Sequence, residues 1–380
     1  MRFIHTADWH LGRVLHAVSL LDDQRYVLDQ LVDLAKEARV DAVVIAGDIY
    51  DRAAPNADAV ALLDDVLSRL VKGLGARVIA IAGNHDNPDR IGYGARIFAD
   101  QRLHMAGSIA RSLQPIPVEN GNAVFWFNAI PYSGPLAARI ALGDDTIQDH
   151  EAALRESIRA MAMPNQGAGP KVLVAHAFVA GGNESESERP LTVGGTASVG
   201  KGLFAGFDYV ALGHLHQPQS IDSNIHYAGS LLKYSSSEIG HTKSFKLVEM
   251  DRSGIARVEA IPIRPRRDVR RIEGLLDDVV RAGFADPLRD DYVIVKLMDE
   301  GALLNPMLRL QQAYPNAIAI EYAPPRALPP DLQTRDRTRL NPADLFPEFY
   351  KFVTGDDMNA EQTKVVVSVA DESNEIEEQQ

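Results

Sequence analysis

No cysteine occurs among the 380 residues, which removes disulfides, thiolate metal sites and cysteine nucleophiles together. Any metal must therefore be held by His, Asp, Glu or Asn. Long apolar runs are missing too. The best, Ala42–Ala46 and Val172–Ala175, have strand length and fall far short of a membrane span. The N-terminus, MRFIHTADWHLG, runs directly into a strand pattern without signal-peptide architecture, so a cytoplasmic protein is expected. Internal repeats are absent. So is any excess of positive charge: the formal net charge is −13, the reverse of what a phosphate-binding surface needs. Much of that charge is local, because eight carboxylates against one lysine, Lys364, lie between Gly355 and Gln380. The acidity argues against tight stand-alone DNA binding; a protein of this charge that acts on DNA would have to borrow affinity from a partner.

What is present organises itself into two packed units and a tail, as the length suggests. Arg2–Ala7, Asp41–Ala46 and Arg77–Ala82 read as strands, with helices over Leu20–Ala38 and Ala57–Val71 between them. This β-α-β-α-β order points to a layered α/β domain. More strands follow at Val124–Ile130, Lys171–His176, Tyr209–Leu212 and Phe245–Glu249, with a helix over Asp145–Ala162 and a polar loop over Gly181–Gly202. A boundary is expected near Ile263, so that residues 1–263 form the first domain. A small α/β unit over 264–323 follows, with strands at Tyr292–Leu297 and Ala317–Glu321. Residues 324–355 contain a proline-rich linker and an aromatic segment, and the acidic tail, 356–380, is expected to be disordered.

Chemistry concentrates where apolar strands end. Asp8 and His10 follow FIHTA, Asp48 follows AVVIAG, and Asn84, His85 and Asp86 follow VIAIAG. His176 closes KVLVA, and His214 and His216 follow YVAL. In α/β sheets the loops beyond the C-terminal strand ends converge on one crevice. Asp8, His10, Asp48, Asn84, His176, His214 and His216 offer two carboxylates, one amide oxygen and four imidazoles. That set is too large for one tetrahedral zinc and suits two adjacent ions with open water positions. Asp48 is the natural bridging ligand. Ligation by nitrogen and oxygen without sulfur suits Mn²⁺, Fe²⁺ or Zn²⁺ better than Mg²⁺ alone. Gly47, Gly83 and Gly213 each precede a ligand segment, where the chain is expected to turn sharply. Each motif alone is a common turn or surface histidine; their joint order after successive strands carries the signal.

The series DxH, GD, GNHD, H, GHxH resembles the calcineurin-like metallophosphoesterase superfamily. The fuller wording HTADWHLG, VIAGDIYDRAAP, AGNHD and LGHLHQPQ is similar to the D-subunit family of bacterial SbcCD nucleases, over roughly residues 1–263. The resemblance implies a layered β-sandwich flanked by helices, with a small capping domain. It implies that Asp8, His10 and His216 hold one divalent ion, that Asn84, His176 and His214 hold the other, and that Asp48 bridges. His85 would face the scissile phosphate without binding metal, oriented by its neighbour Asp86. Archaeal and eukaryotic relatives carry a histidine where Asp51 stands, so Asp51 either orients a ligand histidine from behind or caps its strand.

The resemblance further implies a Mn²⁺-dependent nuclease acting in DNA repair, recombination and replication. Its expected activities are 3′→5′ exonuclease on double strands and endonuclease on single strands and hairpins. The implied partners are DNA, an SbcC-type ABC ATPase and a second copy within a heterotetramer. Leu345, Phe346, Phe349, Tyr350 and Phe352 would be costly to leave in water. Docking on the ATPase's coiled coil explains them, and a helix folded back on its own domain explains them equally. Two rivals stand beside the nuclease. GDIYDR is similar to the phosphatase wording GDxxDRG, although Ala53 and Ala54 replace the glycine, so a phosphatase or small-molecule phosphodiesterase is one. A non-catalytic DNA-organising scaffold is the other, and the intact ligand set argues against it.

Overall fold

The computed structural model describes residues 1–162, 169–188, 198–301, 303–322, 346–347, 349–351 and 354–377. They divide into two units, Met1–Val269 and Arg270–Gln380. The expected boundary near Ile263 lies a few residues earlier, on the strand-end side of the division.

The first unit begins with β1 (Arg2–Thr6), a hairpin of β2 (Val14–Leu15) and β3 (Val18–Ser19), α1 (Leu21–Glu37), β4 (Ala42–Ile45), α2 (Ala57–Ser68) and β5 (Arg77–Ile81). Short helices α3 (Pro88–Ile91) and α4 (Ala95–Phe98) lead to β6 (Leu103–Ala106), β7 (Ile116–Asn120) and β8 (Ala123–Ile130). Then come α5 (Pro135–Leu142), α6 (His150–Ala160), β9 (Lys171–His176), β10 (Tyr209–Gly213), β11 (Gln219–Asp222), β12 (Ile225–Tyr227), β13 (Ser244–Met250) and β14 (Ala256–Pro262). These strands make two six-stranded sheets, ordered β14-β13-β1-β4-β5-β6 and β11-β12-β10-β9-β8-β7. The sheets pack face to face: Phe3, Val44 and Ile79 from one meet Phe127, Val174 and Tyr209 from the other in a single buried cluster. Phe3 contacts both Phe127 and Tyr209 edge-on, at centroid separations of 5.5 and 5.4 Å.

Strands buried on both faces read as continuous apolar runs, which is why AVVI and RVIAI are conspicuous in the sequence. The helix expected over Asp145–Ala162 is shorter. Asp149 caps it by accepting from the Ala152 N–H at 2.7 Å, so α6 starts at His150, and a separate helix, α5, precedes it. Edge strands β6, β7, β11 and β14 carry mixed polar residues and give no such signal.

The second unit has β15 (Val269–Gly274) reaching into it, then α7 (Leu276–Gly283), β16 (Tyr292–Leu297), α8 (Pro306–Ala313) and β17 (Ala317–Tyr322), in a sheet ordered β15-β16-β17. Its core joins Leu276 and Val279 of α7 to Val293, Val295 and Leu297 and to Leu310 and Ala313 of α8. The tail expected to be disordered carries instead a helix, α9 (Ala360–Glu377). Asn359 caps it through the Gln362 N–H at 2.9 Å. The proline-rich linker at 324–330 lies outside the described residues. The arginine cluster before and within β15 is largely paired: Arg267 with Asp23, Arg270 with Asp286 and Asp291, and Arg271 with Glu321.

Several histidines away from the strand ends are held neutral by burial. His5 is fully buried; its Nε2–H donates to the Leu212 carbonyl at 3.1 Å, leaving Nδ1 to accept from Tyr209 at 3.0 Å. His226 stacks on the same tyrosine at 5.1 Å. Burial, then the nearby Lys246 ammonium, lowers the His226 imidazole to about 4. The unfolded chain therefore binds protons here first, near pH 6.5, and this contribution to stability, complete above that pH, is lost as pH falls toward about 4. His226→Gln keeps polar partners for Ser220 and Ser223 but cannot titrate. We expect it to lose less stability than wild type between pH 7 and pH 5 in urea unfolding; an equal loss would contradict this account.

Candidate metal centre

Parallel strands β1, β4 and β5 in one sheet and β8, β9 and β10 in the other bring their C-terminal ends together. The loops beyond these ends are stitched to one another. The Asp8 N–H donates to the Gly47 carbonyl at 3.0 Å and the His10 N–H to the Asp48 carbonyl at 2.9 Å. Tyr132 N–H reaches Ala82 O at 2.8 Å, and His176 Nδ1 donates to Ala46 O at 2.9 Å, tying the second sheet to the first.

Asp8, His10, Asp48, His176, His214 and His216 are buried, and Asn84 and His85 half-buried. Asp48 sits at the middle. Its Oδ1 accepts the His85 N–H at 2.8 Å, while Oδ2 lies 3.4 Å from His176 Nε2 and 3.7 Å from His10 Nε2. On one side His10 Nε2 and His216 Nε2 stand 3.1 Å apart. On the other, Asn84 Oδ1 lies 2.9 Å from His176 Nε2 and 3.2 Å from His214 Nδ1. Asp8 spends Oδ1 on the His214 N–H at 2.9 Å, and its Oδ2 is buried with no hydrogen-bond partner.

These features fit divalent cations. A buried, unpartnered carboxylate oxygen is costly unless a cation meets it. Imidazole nitrogens about 3 Å apart match the spacing of neighbouring ligands around an ion with bonds of about 2.1 Å. His176 Nδ1 is committed to a carbonyl, so its Nε2 is the free donor. Asp8, Asp48 and His176 place ligand atoms within 4.8 Å of one another, and so do His10, Asp51 and His85. The second trio is the poorer cation site, because Arg13 donates to Asp51 Oδ1 at 2.8 Å and adds a positive charge there.

Electrostatics reflect the crowding. Burial pushes the Asp8 carboxyl up to about 7, although His176 and His216 pull it down. Burial would lower His176, but the Asp48 carboxylate outweighs it and raises the imidazole to about 9. Asp48 in turn is held well below its usual range: burial opposes this, and the His176 charge and hydrogen bond overcome it. Burial, then His176, brings His214 down to about 3.

Backbone strain marks the same residues. Asp8, His10, Asp48 and His214 have φ of 52°, 46°, 49° and 105°, a region non-glycine residues rarely adopt. The glycines differ from expectation. Gly47, with φ 92°, does turn sharply, but Gly83 and Gly213 are absent from the positive-φ set and serve close approach. A Cβ on Gly83 would strike Asp48 Oδ1, and one on Gly213 the Ala46 carbonyl.

Other expected roles shift. Asp86 does not reach His85. Its carboxylate accepts from the Ile49, Tyr50 and Gly83 N–H groups at 3.0, 2.9 and 2.9 Å, bracing two loops. His85 is oriented instead by the Asp51 carbonyl, 2.9 Å from Nδ1, and its ring lies edge-on to His10 at 4.7 Å. The Asp51 side chain lies 3.7 Å from His10 Nδ1. Trp9 packs beneath, donating to Thr6 Oγ1 at 2.9 Å. Ser187, Glu188, Glu238 and Lys243, all in contact with His216, escape sequence reading because no motif flags them.

The calcineurin-like phosphoesterase family model matches residues 1–218, more than half of the chain, and the chain belongs to that family of metal-dependent phosphoesterases. A second model, SbcD_C, described as the type 5 capsule protein repressor C-terminal domain, matches residues 265–354. The two together support an SbcD-type nuclease subunit. Solved structures similar to the chain include one from Thermus thermophilus (14% identity, 68% of this chain and 98% of that one, TM-score 0.39). A dimetal phosphatase from Danio rerio is similar at 13% identity, over 70% of this chain and 99% of that one, with TM-score 0.36. The phosphoesterase Yfce from E. coli matches at 14%, over 70% and 100%, with TM-score 0.28.

The close approach at Gly83 generates a test. Gly83→Ala must displace Asp48, and we expect it to cost about 1–3 kcal/mol, read as a lower urea midpoint at unchanged slope. A wild-type midpoint would mean that Asp48 has room to move.

Proposed function

We propose that the chain is a two-metal DNA nuclease, cutting double strands from 3′ ends and single strands or hairpins internally, in complex with an ABC-type ATPase. The observation that supports it most is the convergence of Asp8, His10, Asp48, Asn84, His176, His214 and His216 on one cleft, with Asp8 Oδ2 left unpaired. The match of the following segment to SbcD_C favours a nuclease over other phosphoesterases.

In this reading Asp8, His10 and His216 hold one ion, Asn84, His176 and His214 the other, and Asp48 reaches both. Divalent ions, Mn²⁺ by the donor set, supply Lewis acidity and neutralise charge at phosphorus. The chain's own residues do the rest. His85 donates Nδ1–H to the Asp51 carbonyl, which aims Nε2 toward the cleft. With a second proton there, the ring can protonate the leaving oxygen; without it, the ring can accept a hydrogen bond. Asp86 keeps the GNHD loop against the β4 loop, and the His85 N–H is bonded to Asp48 Oδ1 across the same junction. Phe346 and Phe349 are exposed, at 44% and 59%, with rings 6.2 Å apart, as a docking segment for the ATPase requires. Tyr350 accepts from Gln362 of α9 at 3.1 Å; Leu345 and Phe352 lie outside the described residues.

End-labelled duplex and hairpin DNA in Mn²⁺, with and without the ATPase, tests the reading. We expect His85→Gln to retain metal and lose activity about 100-fold or more. Cleavage of cyclic nucleotides or nitrophenyl esters, with DNA left intact even beside the ATPase, would replace the nuclease by a phosphodiesterase or phosphatase.

A further inference from the structure

We infer that Glu238, seated by Lys243 and assisted by Ser187, is a positioning residue that fixes the His216 ring so that only Nε2 is free to face a cation. The inference rests on the two-metal reading and concerns residues that no motif singles out.

Every polar group of His216 has a protein partner, and that of Nε2 is itself a candidate ligand nitrogen, His10 Nε2 at 3.1 Å. Its backbone N–H donates to Glu188 Oε1 at 2.7 Å. Its carbonyl accepts from Lys243 Nζ at 2.8 Å and from the Ser230 N–H at 3.2 Å. Ring Nδ1 lies 3.0 Å from Glu238 Oε1 and 2.8 Å from Ser187 Oγ, and the Ser187 hydroxyl donates to the same carboxylate. A carboxylate only accepts, so the ring proton sits on Nδ1 and the Nε2 lone pair points at His10.

Glu238 is itself fully buried and would be a poor guest there alone. Lys243 Nζ supplies the opposing charge, and donates also to Ser230 Oγ at 2.8 Å. Glu238 and Lys243 are neutral as a pair, and the acceptor facing Nδ1 stays in place without solvent. A carboxylate behind a ligand imidazole makes the opposite nitrogen a stronger donor and removes the ring's rotational freedom. Corresponding support at His176 comes from a neutral carbonyl. The two ion positions therefore differ, with the stronger imidazole donor on the His216 side.

Titration of Mn²⁺ alone into the full-length, metal-stripped chain, followed by calorimetry, reads this directly. Glu238→Gln combined with Lys243→Met removes the ion pair at similar volume and leaves the net charge around His216 unchanged. We expect it to weaken one of two Mn²⁺ sites roughly 10- to 100-fold and to leave the other unchanged. Ser187→Ala should weaken the same site by a smaller factor, and Ser187→Thr, which keeps the hydroxyl, should restore it. Two wild-type affinities in folded variants would overturn the inference, as would equal weakening of both sites. If the double variant fails to fold, the Ser187 pair decides alone. Uptake of fewer than two Mn²⁺ by the wild-type chain would instead sink the two-metal reading, and this inference with it.

Discussion

Three carboxylates, Asp8, Asp48 and Asp86, are buried in one cleft, and the cost of keeping them there organises the rest of the first unit. Each meets that cost differently. Asp86 is met by three backbone N–H groups, which turns it into a brace between the β4 and β5 loops. Asp48 is met by the His85 N–H and by the His176 imidazole, whose Nε2 lies 3.4 Å from Oδ2. Asp8 is met only in part, since one oxygen has no partner in the protein. A buried anion short of one partner is the feature that a cation completes. The imidazoles stand where such a cation needs its remaining ligands.

Holding these groups at fixed distances requires a rigid frame, and the two sheets provide it. The strands that end at the cleft are parallel and buried on both faces, so their ends cannot fray independently. The loops then depart into strained conformations, with four ligand-set residues in the left-handed region. Such strain persists only where the surroundings over-determine it. Here the surroundings are specific: Asp8 bonded to the backbone of Gly47 and His214, Asp48 pressed against Gly83, and His176 fastened to Ala46. Function and packing thus draw on the same contacts. Gly83 and Gly213 are small because a carboxylate and a carbonyl occupy the space of their side chains.

The sequence by itself determined the central strands, the α/β character and the converging donor set. Continuous apolar runs and short polar motifs at their ends are local signals, and no distant residue is needed to read them. The two strands of the small unit were legible for the same reason, because YVIVKL, buried, and AIAIEY, half-buried, are apolar runs with one helix between them. Tertiary structure alone decided what depends on residues far apart in the chain. The partner of His85 became the Asp51 carbonyl rather than the adjacent Asp86, because loop geometry, not sequence proximity, sets hydrogen bonds. Edge strands β7, β11 and β14 paired although they are interrupted by polar residues, since pairing depends on a neighbour that the local pattern does not contain. The ring of buried polar groups around His216 was likewise invisible. Ser187, Glu238 and Lys243 are ordinary surface residue types until folding removes their water, and only then does each need the others.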